Sequence, residues 1–289
     1  MKPLGLAMLV TLLLQQPAPS TSTNPADTGF TLSVGTRLVE IPVTVLSADG
    51  MTRDNLLQSN FEIFEDNVRQ DITVFRHDDT PIRAGVVIAG SRTSDTKAVI
   101  DNAAGIFTRE SNPGNRTFIV DYSQHRQELS KSIGALVEAF IEVDTFRRTP
   151  PPVGPGSVRK AAVVIIEGDI GPAGVSQLLT YLEDARDVAI YAIGLSDPKM
   201  KSLSKLTRER LTRAADVTGG QVFFPASVDE VSGLCLRIAH DLRNQYTLGY
   251  SPKNPNNDGT WRSIRVTVTA PQLQGRPVIR ARQGYFASP

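Results

Sequence analysis

Three histidines and one cysteine are the obvious candidates for metal or nucleophilic chemistry in this sequence, and their placement supports neither. His77, His125 and His240 read as a strand end, a loop and a helix. None has a Cys, Asp or Glu at a ligand spacing such as H-x-x-x-H. Cys235 lies on the stripe Val231, Leu234, Cys235, Ile238, Leu242, whose period is helical, so it reads as a small buried hydrophobe and not a reactive thiol. A lone cysteine also forms no internal disulfide. No G-x-S-x-G elbow, P-loop or G-x-G-x-x-G occurs. Gly154-Pro155-Gly156 sits among prolines, which lack the N–H groups a phosphate cradle needs. The catalytic reading that survives is a hydrolase assembled only in space, and the sequence offers nothing specific for it.

Oxygen chemistry is better represented. Ser91, Arg92 and Thr93 follow the apolar run Gly85–Ala89, and Glu167-Gly168-Asp169 follow Ala161–Ile166. Such hydroxyls, with Ser94, are also the types that cap helices, and Glu-Gly-Asp is also a polar strand-to-helix turn. If the two runs are parallel strands, both loops lie at strand C-termini, where open α/β sheets bind their partners. Asp121-Tyr122-Ser123 and Arg147-Arg148 read as solvated loops.

The elements that would position these loops alternate. Short apolar strands at Gly85–Ala89, Thr117–Val120, Ala161–Ile166, Val188–Leu195 and Gln221–Phe224 are separated by helical stretches near Ser94–Thr108, Leu129–Ile141, Val175–Asp187 and Leu203–Val217. Gly219-Gly220 ends the last of these. Ser227 and Glu230 form a capping box that opens a final helix. Strand–helix alternation predicts a parallel sheet covered on both faces. On either side the pattern is β. Val39, Ile41, Val43 and Val45 alternate with polar residues, and Pro42 places that strand at an edge or bulge. Phe61–Phe64 and Ile72–Phe75 read as a hairpin through Glu65-Asp66-Asn67. Tyr246–Tyr250, Trp261–Thr269 and Val278–Phe286 read as strands, the last with Arg280 and Arg282 on its wet face. Neither β piece is large enough to bury a core alone, so the expected architecture is an α/β domain (82–243) inserted in a small β-sandwich (37–80 and 245–287).

The 289 residues carry 40% hydrophobic and 21% charged side chains, an ordinary globular composition. Formal net charge is +1, without basic runs, which argues against a nucleic-acid partner. Lys2, the apolar run Leu4–Leu14, the break at Gln15-Gln16-Pro17 and the small residues Ala18-Pro19-Ser20 have the form of an export signal (1–20), followed by a flexible leader (21–36). The run is too short for a permanent membrane span. A periplasmic, extracellular or cell-surface protein with no transmembrane segment after cleavage is therefore expected.

Several segments resemble one family. Val39–Val45 (VEIPVTV), Phe61–Asp66 (FEIFED), Gln221–Pro225 (QVFFP), Arg243–Pro252 (RNQYTLGYSP) and Arg282–Phe286 (RQGYF) are similar to the secreted von Willebrand A-related proteins of acidobacteria. The resemblance implies a doubly wound, mostly parallel von Willebrand A (Rossmann-like) sheet. It also implies a metal-ion-dependent adhesion site: an Asp-x-Ser-x-Ser loop after the first strand, a Thr from a later loop and an Asp after the central strand. In this chain the first loop reads Ala89-Gly90-Ser91-Arg92-Thr93, without its Asp. Glu167 stands where the family has Asp, and the threonine loop is rewritten as Thr145–Pro152. Ser91, Thr93 and Glu167 are the metal ligands that would remain, and Arg92 puts a positive charge beside them.

The sequence therefore predicts an exported, non-enzymatic binding or adhesion module that takes an unidentified protein or matrix partner through Ser91, Arg92, Thr93, Glu167 and Asp169. No cofactor is expected. Mg²⁺-assisted capture of an acidic ligand is the alternative.

Overall fold

A computed structural model describes residues 38–48, 50–90, 94–121, 159–168, 188–196, 203–271, 273 and 275–287. All of them lie within one unit, Thr36–Pro289. The expected signal, leader, helices Leu129–Ile141 and Val175–Asp187, and the Thr145–Pro152 loop fall outside the described residues.

The fold is mixed α/β: one five-stranded parallel sheet and two four-stranded antiparallel sheets. The N-terminal β segment supplies β1 (Val39–Leu46), β2 (Phe61–Glu65), β3 (Val68–Gln70) and β4 (Ile72–Arg76). Next come β5 (Arg83–Gly90), α1 (Ser94–Glu110), β6 (Arg116–Asp121), β7 (Lys160–Glu167), β8 (Val188–Leu195), α2 (Lys205–Thr218), β9 (Gln221–Phe223) and α3 (Val231–Arg243). The chain closes with β10 (Tyr246–Tyr250), β11 (Trp261–Val268), β12 (Val278–Ala281) and β13 (Gly284–Phe286).

The parallel sheet has the order β6-β5-β7-β8-β9, and each neighbouring pair is parallel. Its strands are apolar on both faces because helices cover both. Val87, Ala89, Val164 and Ile166 pack with Leu211 and Ala214 of α2 on one face. Val86, Ile88, Val163 and Ile165 pack with Ile100 and Phe107 of α1 and Ile238 of α3 on the other. Burying a side chain such as Ile100 or Phe107, both at 0% exposure, is worth about 1.5–3 kcal/mol. Ser204 caps α2, its side chain accepting from Thr207 N, and Gly219 ends it with φ 79°, a left-handed conformation that glycine adopts without a Cβ penalty. Ser227 and Glu230 form their capping box on a single 3₁₀ turn that leads into α3.

The antiparallel sheets run β12-β1-β10-β4 and β13-β11-β2-β3, so each combines strands from both ends of the chain. Ile41, Val43, Phe61, Ile63, Tyr246, Leu248, Ile264, Val266 and Tyr285 share one buried cluster between them.

Three strand readings change. β2 pairs with β3, not with Ile72–Phe75, across a two-residue turn in which Asp66 (φ 46°) and Asn67 (φ 64°) are both left-handed, the geometry that matches strand twist. β4 crosses to the other sheet and pairs with β10. The expected strand Val278–Phe286 is two strands: β12 pairs with β1 in one sheet, and β13 with β11 in the other. Pro42 has only β10 beside it, because β12 pairs with Val43–Leu46 and stops short. The missing N–H therefore costs no ladder bond.

Arg280 is not on a wet face. Its side chain is 13% exposed and faces Asp241 of α3 at 3.6 Å. Arg282 donates to the Glu40 carbonyl at 2.8 Å and lies over the Tyr285 ring. No burial alternation survives along β12, where Val278 is exposed and Ile279, Arg280 and Ala281 are all half-buried.

Candidate functional site

In the parallel sheet the chain leaves β5 for β6 on one side and leaves β7 for β8 on the other. The C-terminal ends of β5 and β7 therefore lie at the switch in strand order, the position where sheets of this kind generally bind ligands. Register sets Gly90 beside Glu167, and Glu167 beside Leu195. Glu167 is 2% exposed, and its Oε2 accepts a hydrogen bond from Thr96 Oγ1, in the first turn of α1, at 2.8 Å. Gly168 then turns the chain with φ 78° while its N–H donates to the Leu195 carbonyl at 3.0 Å. A residue with a Cβ would be strained there.

Of the five residues read as the binding site, Glu167 is the one the structure places. Ser91, Arg92, Thr93 and Asp169 lie outside the described residues. Ala89, which stands at the family's leading Asp, is 1% exposed and packs with Val87, Ala162, Val164 and Ile166, the face of the sheet opposite to Glu167. The described oxygen donors are thus one carboxyl and one hydroxyl, already bonded to each other. These two groups alone do not make up the octahedral oxygen cage that Mg²⁺ requires. Among the described residues, no group of three or more His, Cys, Asp or Glu side chains is placed to hold a metal ion.

The other chemistry-bearing residues are accounted for locally. His77 stacks on the Tyr246 ring at 4.3 Å. The His240 ring faces Asn244 Nδ2 at 3.3 Å. His125 is outside the described residues. Cys235 is fully buried, and burial pushes its thiol up to about 12, so it carries no thiolate at neutral pH.

Two polar clusters had no signal in the local sequence pattern. In the core of the antiparallel sheets, Glu65 Oε2 accepts from Tyr250 Oη at 2.6 Å and Tyr285 Oη at 2.8 Å. Burial and the bond to Glu65 raise the Tyr250 hydroxyl well above its ordinary range. Each of the three residues belongs to a different family-like segment, FEIFED, RNQYTLGYSP or RQGYF. That coincidence is the one sequence clue to the cluster. The second cluster lies where the parallel sheet meets β1 and β12. Asp241 accepts from Thr52 Oγ1 at 3.1 Å and faces Arg280. Gln245 reaches Thr44 Oγ1 at 3.1 Å and Tyr191 Oη at 3.4 Å, and Arg159 donates to Gln245 Oε1 at 3.3 Å. Burial raises Asp241 and Tyr191 and lowers Arg159 and Arg280; the Asp241 carboxylate adds to the rise at Tyr191, and at the other three burial outweighs the opposite charges nearby.

No family model matches the chain, and no curated protein matches it. Among solved structures, the proximal thread matrix protein 1 of the mussel byssus aligns with 15% identity and a TM-score of 0.33, covering 60% of this chain and 49% of that one. The chain thus spans about half the length of the mussel protein. The TFIIH p34 N-terminal domain aligns with 14% identity and a TM-score of 0.32, over 55% of this chain and 98% of that one. An azoreductase from Bacillus anthracis aligns with 10% identity and a TM-score of 0.29, over 56% and 99%. Likenesses this weak decide nothing about function. No helix among the described residues is long and apolar enough to cross a membrane.

Proposed function

We propose that the chain is an exported, non-catalytic binding module: a doubly wound von Willebrand A-type layer (82–243) set between the two halves of a β-sandwich (37–80 and 245–287). It engages a protein or matrix partner at the β5/β7 strand ends and does so without metal. The observation that carries this reading is the switch in strand order between β5 and β7, where the Glu167 carboxyl is buried and accepts a hydrogen bond from Thr96. A carboxyl used in this way shapes the floor of an interface, and the loop bearing Ser91, Arg92 and Thr93 would supply the contacts. The apolar run Leu4–Leu14 supports export to a compartment where such a module meets its partner.

Crosslinking the intact chain to its native partner, then repeating the capture with Ser91→Ala/Arg92→Glu, tests the site. Loss of the crosslinked species supports it, and wild-type capture by the double variant would show that the partner binds elsewhere. Thermal unfolding in EDTA against millimolar Mg²⁺ tests the metal-free part. A ligand at about a hundred times its Kd adds roughly 2.7 kcal/mol, several degrees in Tm. An unmoved Tm is expected, and a shift of that size would bring Mg²⁺ back into the site.

A further inference from the structure

The outer face of the β13-β11-β2-β3 sheet carries side chains that the reading above does not use. Along β11 the burial alternates, so Trp261, Ser263 and Arg265 point outward while Arg262, Ile264 and Val266 point into the core. Trp261, the chain's single tryptophan, is 42% exposed even though two neighbours fix its ring. The indole lies across Gly284 of β13, where an added Cβ would sit 2.3 Å from Cζ2 and 2.6 Å from Cε2. Phe286 meets it edge-on, with ring centroids 5.0 Å apart and planes at 70°. Glycine at 284 therefore makes room for a ring laid down on the sheet, held in place before any ligand arrives.

A second such unit lies about 14 Å away, four residues along the strand. Arg265 stacks on the Phe64 ring at 4.2 Å, and among the described residues no carboxylate is paired with it. Between the two units, Ser263 Oγ donates to Asp66 Oδ1 at 3.0 Å. Arg69 pairs with Glu62 at 3.2 Å on the neighbouring strands. The strip thus holds the guanidiniums of Arg265 and Arg69 and the carboxylates of Glu62 and Asp66; buried Arg262 also reaches Asp66 at 3.7 Å and pairs with Asp258 at 3.1 Å, so three cations meet three anions and the charges cancel.

That charge balance selects the occupant. A polyanion would meet Glu62 and Asp66, a polycation would meet Arg69 and Arg265, and an apolar segment would strip water from all four without replacing its hydrogen bonds. A neutral sugar chain matches the strip: C–H-bearing ring faces lie on the indole, and hydroxyls, which both donate and accept, reach the Arg265 fork, Ser263 and Asp66. We propose that this sheet face is a binding platform for a neutral saccharide, laid along β11 with Trp261 as its stacking surface and Arg265 as its main hydrogen-bond donor. The surface is separate from the β5/β7 strand ends and does not depend on them.

The test is native gel electrophoresis of the intact chain through hydroxyethylcellulose, glucomannan, dextran or polygalacturonate, with Trp261 emission followed during titration with cellohexaose and mannohexaose. Retardation by at least one neutral polymer is expected, with a blue shift in emission from the corresponding hexasaccharide. Trp261→Ala is expected to weaken binding more than about tenfold and Arg265→Ala several-fold, with unfolding temperatures close to wild type. Trp261→Phe should retain part of the affinity, since a ring remains. Retardation by none of the neutral polymers, retardation by polygalacturonate alone, or undiminished binding by Trp261→Ala would overturn the proposal. So would Trp261-dependent self-association in sedimentation, which would make the face a contact between two copies.

Discussion

Glu65 and Glu167 are buried to the same extent, each 2% exposed, and each ends a strand. Glu65 closes β2 inside the antiparallel sheets and is held by tyrosines 185 and 220 residues away in the chain. Glu167 closes β7 at the rim of the parallel sheet and is held by one threonine 71 residues away. The first carboxyl ties the two ends of the chain into one core, where no solvent can replace a lost partner. The second stands where the strands end and the loops begin, and Thr96 is its hydrogen-bond partner on α1. Equal burial thus goes with unequal surroundings: one acid is bonded to remote, enclosed partners, and the other stands at the strand ends where the proposed recognition would occur.

Removing each acid's partners should expose the inequality. Glu65→Ala leaves the Tyr250 and Tyr285 hydroxyls without their acceptor inside the core, along with a cavity. The expected loss is about 4 kcal/mol, from two buried hydroxyls at about 1–3 kcal/mol each plus the vacated volume. Urea unfolding measures it as a fall in midpoint with an unchanged slope. A loss under about 1 kcal/mol would mean the tyrosines find other partners, and the contrast between the two regions would fail.

Asp241, at the junction between the two regions, gives the intermediate case. Its Oδ2 makes no hydrogen bond, although Arg280 Nη1 is 3.6 Å away. Asp241→Ala removes the carboxyl together with its bond from Thr52 and leaves a cavity, and about 2 kcal/mol of stability is expected to go at neutral pH. The pH dependence carries a definite sign. Burial raises the Asp241 carboxyl above its ordinary 3.8, in spite of Arg280. Its contribution is therefore fully present below that ordinary value and is lost as pH rises through the raised one. Alanine has no such titration, so the gap between wild type and variant should be wider at about pH 3.5 than at about pH 7. Unfolding measured at both values checks this, and a gap that widens towards neutral pH would mean that attraction to Arg280 outweighs burial.

How much of this was legible in the sequence follows the range of each interaction. Strand β10 was read at Tyr246–Tyr250 as observed, and the stripe carrying Cys235 is the buried face of α3, because both patterns are local. Periodicity names the face of a strand but not its sheet, so the crossing at Asp71 and the split between β12 and β13 went unseen. Arg280 looked solvated because a sequence pattern cannot report that Asp241 of α3 will face it. At the candidate site, Glu167 was visible as an acid after an apolar run. Thr96 was not, since a threonine in the first turn of a helix gives no sign of the strand it will face. The Glu65 cluster needed three segments to meet, and the Trp261 platform needed Gly284 to leave room for a ring. Both are properties of pairing and not of pattern.

The smallest expected effect is the most direct test of the rim. Thr96→Val keeps the shape of the side chain and removes the hydroxyl that donates to Glu167. At a strand end, where loop groups or water can take over part of the bond, the cost should be about 1 kcal/mol, well below that of Glu65→Ala. The variant should also disturb partner capture more than it disturbs stability, because the Glu167 carboxyl loses a bond that orients it at the proposed site. Unfolding and crosslinking on the same preparation separate the two effects. A loss as large as that of Glu65→Ala, with capture intact, would make Glu167 a second structural bolt and remove the physical basis for placing recognition at the β5/β7 strand ends.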